Sequence, residues 1–305
     1  KIETAMEIHS AWGTFEWLLT DGFPLGHRSG VVCNSDGHKG RPGASYPGAS
    51  MFGAYGGLTC FYAKELSRDG LFDCLKKRHH FGTTGNRLHL TVNAHFNSSG
   101  NLFDLDPNAY EEAQSTEVKS AMMGDIIQTH DKNVKVKVLA KSPTPIERIE
   151  IRNGVEIIET FRGYNKEDLG DRYRIIWSGA EYRGRGRNTK WIGKATFKNT
   201  NIKSMKKINS WNNEKLLEVT DDNCVQFDAI TTGNFGGFDV WLSNSLGAKI
   251  SIKSNQGELN IQLDEIGIDD VVLDCGGLER KLKVMRLPEN NPHHELSREI
   301  EVDLD

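Results

Sequence analysis

The spacing of the apolar residues changes near residue 87, and this change constrains the fold more than any other feature of the sequence. From Leu88 to Phe96 every second residue is apolar, which is the pattern of a β-strand with one face in water. The same alternation returns in short segments as far as Leu263. Between two of these segments, Asn153-Gly154 is a strong signal for a two-residue hairpin turn. Many short antiparallel strands predict a β-sandwich.

We therefore divide the chain into three parts. Residues 87–288 are predicted to form the β-sandwich, with an acidic surface excursion at about 97–120, and residues 289–305 are predicted to be a truncated tail. Residues 1–86 differ, because short continuous apolar runs such as Gly30-Val31-Val32-Cys33 are typical of strands buried on both faces of a parallel sheet. A strand, a loop, a strand and a helix follow one another there. This order is typical of β/α repeats, so the first part is predicted to be α/β.

An Asp-x-His pair, Asp36 and His38, follows that apolar run directly. In an extended chain both side chains lie on one side of the backbone, where they offer an oxygen and a nitrogen ligand to a divalent metal. The exits of buried parallel strands are also where the active sites of α/β barrels lie. The alternative is that Asp36 caps a turn and that His38 is a solvated loop residue.

Other polar side chains of residues 1–86 extend this predicted site. Glu7 and His9 alternate with apolar residues and so share one face of a strand, where Glu7 is a further candidate metal ligand and a hydrogen-bonded polar pair is the alternative. The predicted substrate pocket comprises His9, Arg41, His80 and Thr83. Because His80 has a histidine neighbour and adjacent side chains diverge, at least one of the two is expected to be structural. Thr83 fits a plain turn equally well.

Several motifs together resemble a known family. They are residues 27–43, Tyr55-Gly56-Gly57-Leu58-Thr59, Phe81-Gly82-Thr83-Thr84-Gly85, Trp177-Ser178-Gly179-Ala180, Thr231-Thr232-Gly233-Asn234 and Cys275-Gly276-Gly277-Leu278. The chain resembles the family called domain of unknown function 3604 (DUF3604), within the polymerase and histidinol phosphatase (PHP) superfamily of metal-dependent hydrolases. The resemblance covers most of the chain.

The resemblance implies a fold and a cofactor. The fold is the C-terminal part of a distorted (β/α)7 barrel of the PHP type, followed by the β-sandwich. The cofactors are two or three divalent ions, Zn, Mn or Fe, and Asp36 and His38 match the last ligand motif of that superfamily. The His-x-His motif that opens the barrel is absent, since none of the ten histidines stands two residues from another. We therefore expect the chain to be the C-terminal portion of a longer protein, with little activity alone.

Composition excludes few classes of function. A net charge of -4 argues against nucleic acid as the main partner, and no apolar run is long enough to span a bilayer. Five widely spaced cysteines do not suggest a disulfide framework, which favours a cytoplasmic location without excluding export. The sequence predicts neither the substrate nor the oligomeric state.

Two functions remain open on the sequence. The first is a metal-dependent hydrolase that acts on a small-molecule phosphoester, ester or carbamate through a metal-activated water. The second is a binding module that uses the β-sandwich. Either could involve the arginine-rich loop 183–187, which fits an anion site or a solvated loop. The tryptophans of the second part fit either a core or a carbohydrate-binding face; they are Trp177, Trp191, Trp211 and Trp241.

Overall fold

A computed structural model describes residues 3–37, 55–183, 188–210 and 215–304. The N-terminal part of these residues contains five short strands and two helices. They are β1 (Ala5–Ser10), β2 (Gly13–Thr14), α1 (Trp17–Gly22), β3 (Gly30–Cys33), β4 (Leu58–Phe61), α2 (Arg68–Lys77) and β5 (His80–Thr83). A 3-10 turn, Phe23–Leu25, extends α1.

The first strands form a small sheet in the order β2-β1-β3. β1 and β3 run parallel, with Ala5 opposite Gly30, and α1 lies on the connection between them. β2 folds back on β1 through a tight turn, so that Thr14 lies opposite His9. The parallel pair brings the carboxyl ends of β1 and β3 to the same edge of the sheet.

The predicted barrel is wrong. Among the described residues there is no (β/α) barrel, and the structure is almost entirely β, in several antiparallel sheets. β4 and β5 are joined by α2 as a β/α repeat would be, yet they pair antiparallel, with Leu58 opposite Thr83. The physical reason is that an apolar run reports burial on both faces and carries no information on the direction of the neighbouring strand.

A five-stranded antiparallel sheet, here called the second sheet, consists of β6 (His89–Phe103), β7 (Ser115–Met122), β8 (Ile126–Gln128), β9 (Asn133–Lys141) and the C-terminal strand β22 (Glu295–Asp303). Its order is β22-β9-β6-β7, with β8 also paired to β6. The expected surface excursion at 97–120 therefore includes the second half of β6 and most of β7. The alternating valines of β9 turn to the buried face, where Val134 and Val138 are almost fully covered.

Ten further strands form two five-stranded antiparallel sheets that share one core, after a separate hairpin of β10 (Ile149–Asn153) and β11 (Glu156–Phe161). The sheets have the orders β14-β17-β12-β21-β20 and β15-β16-β13-β18-β19. Their strands are β12 (Arg172–Ala180), β13 (Thr189–Lys198), β14 (Ile202–Ile208), β15 (Leu217–Asp221), β16 (Cys224–Thr231), β17 (Phe235–Leu242), β18 (Lys249–Ser254), β19 (Gly257–Gln262), β20 (Val271–Asp274) and β21 (Leu278–Leu287).

The last strand returns to the second sheet. β22 (Glu295–Asp303) pairs antiparallel with β9 over its whole length, from Glu295 opposite Lys141 to Asp303 opposite Asn133. The residues 289–305 that we expected to be a tail thus contribute an edge strand, whose Leu296 and Ile300 are buried.

The core of the two facing sheets follows from the alternation along β12. Tyr173, Ile175 and Trp177 are fully buried between the sheets, and the Trp177 ring stacks on Phe227 of the opposite sheet with 4.7 Å between centroids. Burial of each such side chain stabilises the fold by roughly 1.5–3 kcal/mol. This two-sheet body is called the sandwich below. Its Trp177 and Trp191 belong to the core and do not form an exposed carbohydrate-binding face.

Candidate functional site

The carboxyl ends of β1 and β3 form the edge at which sequence analysis placed the site. Beyond β3 the chain continues along β1, because Asn34 N–H donates to His9 O and Ala11 N–H donates to Ser35 O, both at 3.1 Å. Asp36 comes next and is exposed. Its φ of 47° lies in the left-handed region, which aspartate tolerates better than most residues. The backbone therefore bends sharply at this carboxylate.

A second segment lines the same edge. Gly57 N–H donates to Asn34 O at 2.8 Å, which holds residues 55–57 beside the exit of β3. Thr83 also lies at this edge, at the end of β5, where it is buried. Its hydroxyl donates to Asn86 O at 2.7 Å, so Thr83 closes a turn.

His9 is buried at the end of β1 and both of its ring nitrogens have partners. Nδ1 lies 2.9 Å from Oγ1 of Thr14, and Nε2 lies 2.8 Å from the carbonyl oxygen of Tyr55. Burial lowers the pKa of His9, against the opposing effect of the Tyr55 carbonyl, so the ring is neutral at pH 7. Because a carbonyl only accepts, Nε2 carries the hydrogen and Nδ1 accepts from the Thr14 hydroxyl. With both nitrogens engaged, His9 holds structure at this edge and offers no lone pair to a metal.

Glu7 is exposed on β1, opposite Val32 of β3. Burial, and to a smaller extent the negative charge of Glu7, raise the pKa of the nearby Cys33 thiol to about 11. The charge of Glu16 acts on this thiol in the same direction, so Glu7 is one of two carboxylates near Cys33. Because Glu7 lies opposite Val32, four residues before Asp36, about 13 Å of strand separates it from the bend at Asp36.

His80 lies away from that edge. Its ring is buried against Gly30 at the start of β3, at the opposite end of the strand from Asp36. Nδ1 donates to the carbonyl oxygen of Val31 at 2.9 Å, and Nε2 has no hydrogen-bond partner within the described chain. Burial lowers the pKa of His80. The structure therefore does not bring this predicted pocket residue to the carboxylates.

Two predicted site residues, His38 and Arg41, lie outside the described residues, as do residues 184–187 of the arginine-rich loop. Within the described ranges, no group of three or more His, Cys, Asp or Glu side chains could hold a metal ion. The carboxylates of Asp36 and Glu7 still suit a hard divalent cation, since Mg²⁺ and Mn²⁺ prefer oxygen ligands.

The first arginine of that loop already has partners. Arg183 donates to both carboxylate oxygens of Asp21 at 2.7 and 2.8 Å, and its guanidinium lies 5.5 Å from the centre of the Trp17 ring. Asp21 and Trp17 belong to α1, so this ion pair joins the N-terminal part to the sandwich. Arg183 therefore has a structural role, since its guanidinium is engaged by Asp21.

Sequence reasoning missed a contact between the sandwich and β2. Thr14 N–H donates to Thr232 O at 3.2 Å. A Cβ at Gly13 would overlap Thr232, and a Cβ at Gly233 would overlap the carbonyl of Thr14. Thr231-Thr232-Gly233-Asn234 was noted only as a family-like motif, and its small residues are the signal that two backbones approach closely here.

Comparison with known proteins gives one match. The model of the family described as "Protein of unknown function (DUF3604)" matches residues 29–208. No curated protein and no solved structure matches the chain. In the part of the chain that the structure describes, none of the helices has the length and apolar character needed to cross a membrane.

Proposed function

Since this chain belongs to the DUF3604 family, whose description names no activity, we propose, from the resemblance of its motifs and from the position of Asp36, that it is a metal-dependent hydrolase of the PHP type. The proposed substrate is a small phosphoester or a related ester or carbamate. Asp36 is the proposed metal ligand, with His38 two residues further along the sequence and Glu7 of β1 as a further candidate.

One observation supports the proposal most strongly. Two neighbouring parallel strands, β1 and β3, end at the same edge, and the chain that leaves β3 exposes the Asp36 carboxylate there. Ligands of parallel sheets bind outside the carboxyl ends of the strands. The connecting helix α1 packs against β1, and a helix is the usual connection between parallel strands.

The donor set fits a divalent cation in chemical type. Carboxylate oxygens suit Mg²⁺ and Mn²⁺, and an added imidazole suits Zn²⁺ or Fe²⁺. When bound, such a cation polarises an ester oxygen and lowers the pKa of its bound water to about 7.

The protein's own residues prepare this edge in two ways. The left-handed φ of Asp36 ends the regular strand geometry at this residue, and its side chain is exposed there. His9, neutral and fully hydrogen-bonded, holds Tyr55 beside it. A neutral ring adds no positive charge, so the carboxylates keep their attraction for a cation.

Metal binding and hydrolysis together test the proposal. Titration calorimetry with Mn²⁺ and with Zn²⁺ is expected to show binding by the protein and at least about tenfold weaker binding by Asp36→Asn. The rate of Mn²⁺-dependent hydrolysis of p-nitrophenyl phosphate is also expected to be lower in Asp36→Asn than in the wild type. Asparagine keeps the size of the side chain and its tolerance of the left-handed region, so only the charge is lost.

A matched control is Asp73→Asn, which removes the charge of an exposed carboxylate on α2 that pairs with Lys77. It should leave both binding and hydrolysis unchanged. Equal metal affinity in the wild type and Asp36→Asn would overturn the proposal, and so would hydrolysis that is independent of metal.

A further inference from the structure

The sandwich reaches the candidate site through four residues, Gly13 and Thr14 of β2 and Thr232 and Gly233 of the sandwich, which we call the Thr–Gly clamp. Each glycine lies against the threonine of the opposite segment so closely that no side chain fits at either position. Thr14 N–H donates to Thr232 O at 3.2 Å. The two backbones are therefore locked in one relative position.

The sandwich side of the clamp is anchored in the core. Gly233 N–H donates to Gly179 O at 3.0 Å, and the Thr231 hydroxyl donates to the same oxygen at 2.7 Å. The indole N–H of Trp191, a fully buried residue, donates to the Thr231 hydroxyl at 2.9 Å. Thr232 N–H donates to Oδ1 of Asn234 at 2.8 Å. The loop that carries the clamp is thus rigidly attached to the two-sheet core.

The other side of the clamp leads to the candidate site. Because the Tyr55 carbonyl keeps the ring hydrogen on Nε2, the hydroxyl of Thr14 donates to Nδ1 of His9 and orients the ring. Nε2 then donates to the carbonyl of Tyr55, two residues before Gly57, whose N–H donates to Asn34 O at the exit of β3. Three consecutive contacts therefore join the sandwich to the edge where Asp36 lies.

We propose that the sandwich is a structural component of the candidate site, in which the Thr–Gly clamp positions Thr14, Thr14 orients the His9 ring by donating to Nδ1, and His9 holds Tyr55 beside the Asp36 edge. Thr14, His9 and Thr232 are positioning residues in this account. The role of the clamp in metal binding rests on the proposed function, while the coupling from Gly233 to His9 stands on these contacts alone.

The test is a ring spectrum of His9. Correlation spectra of the ¹⁵N-labelled protein at pH 7.5, assigned through a His9→Gln variant, are expected to show the hydrogen on Nε2 and an accepting Nδ1. Gly233→Ala is expected to shift the Nδ1 resonance of His9, because the new methyl group displaces Thr14. The same variant is expected to weaken Mn²⁺ binding about tenfold.

The chain offers a matched control for the glycine substitution. Gly247 is another sandwich glycine with positive φ, 67° against 91° for Gly233, but nothing lies within 4 Å of its Cβ position. Gly247→Ala therefore carries similar backbone strain without the displacement, and it should leave the His9 resonances unchanged. Identical His9 spectra for folded Gly233→Ala and Gly247→Ala would overturn the proposal.

A second pair keeps the test decisive if Gly233→Ala does not fold. Asn234→Ala removes the acceptor that holds Thr232 N–H, and Asn234→Asp keeps an oxygen in its place. The His9 Nδ1 resonance should differ from the wild type in Asn234→Ala and should match the wild type in Asn234→Asp. A folded Asn234→Ala protein with an unchanged His9 Nδ1 resonance would contradict the coupling.

The ring spectra are recorded without metal and so separate the two proposals. Unchanged metal binding in Asp36→Asn, with a shifted His9 resonance in Gly233→Ala, would overturn the proposed function and support the coupling. The reverse result would overturn the coupling alone.

Discussion

At the scale of single residues, two buried histidines stabilise the fold through hydrogen bonds to the backbone. His9 and His80 are both neutral and both donate to backbone carbonyls, and neither presents a free nitrogen to the Asp36 edge. Both histidines therefore have structural roles, which their hydrogen-bond partners within the fold explain. Sequence alone placed Glu7 and His9 on one face of a strand, but it could not show that His9 turns to Thr14 and Tyr55.

His80 makes the stability of the fold sensitive to acid. Its pKa in the folded protein is lowered from 6.5 by burial, so the unfolded chain binds a proton that the folded protein resists. The stability that this neutral ring contributes is present above pH 6.5 and is lost as the pH falls towards its folded pKa. The free energy of unfolding, measured in urea, is therefore expected to fall between pH 7.5 and pH 5.5.

The variant His80→Asn keeps a donor near Val31 O and cannot titrate in this range. Its free energy of unfolding should change less between the two pH values than that of the wild type. His95→Asn, at an exposed position of β6, is the control and should keep the wild-type difference. A His80→Asn protein with the full wild-type pH dependence would contradict this assignment.

At the scale of secondary-structure elements, ion pairs between side chains join β12 and β17 on the outer face of their sheet. Asp239 of β17 is 1% exposed and accepts from Arg174 at 2.7 and 3.0 Å and from Arg172 at 2.6 Å. Burial alone would raise the pKa of Asp239, but the two guanidinium groups outweigh burial and hold the pKa below its ordinary value. The alternation of β12 required polar residues on this face, but it did not show that they would be covered.

Asp239→Asn is expected to destabilise the protein by about 3 kcal/mol, since two partly buried guanidinium groups lose their shared partner. The equivalent change in the exposed pair on α2, Asp73→Asn, should cost no more than about 0.5 kcal/mol. Chemical denaturation of both variants at pH 7.5 checks the difference. Similar free energies of unfolding for the two variants would contradict the structural role of Asp239.

The elements also show which patterns of a sequence are informative. Alternation of apolar residues predicted strands in the second part of the chain, because a period of two is a property of each strand by itself. Strand direction and sheet membership depend on distant partners. For this reason β4 and β5 were assigned to a parallel barrel although they pair antiparallel, and β22 was expected to be a tail although it pairs with β9.

At the scale of the whole molecule, the contacts of the described residues include two that join the N-terminal part to the sandwich. The Thr–Gly clamp joins β2 to the loop after β16, and the ion pair of Arg183 with Asp21 joins α1 to the loop after β12. The sequence placed Asp36 at a strand exit correctly, because a short apolar run with glycine marks the strand before it. It could not predict that the sandwich would contact the same edge, since residues 14 and 232 are far apart in the chain.

Crystals of the protein grown with Mn²⁺ test the proposal that Asp36 holds a divalent metal at the carboxyl ends of β1 and β3. An anomalous difference map from these crystals is expected to show a peak within about 2.5 Å of an Asp36 carboxylate oxygen, at the distance typical of oxygen ligands to hard cations. A fully occupied Mn²⁺ peak elsewhere, or an Asp36 carboxylate without any peak at saturating Mn²⁺, would contradict it.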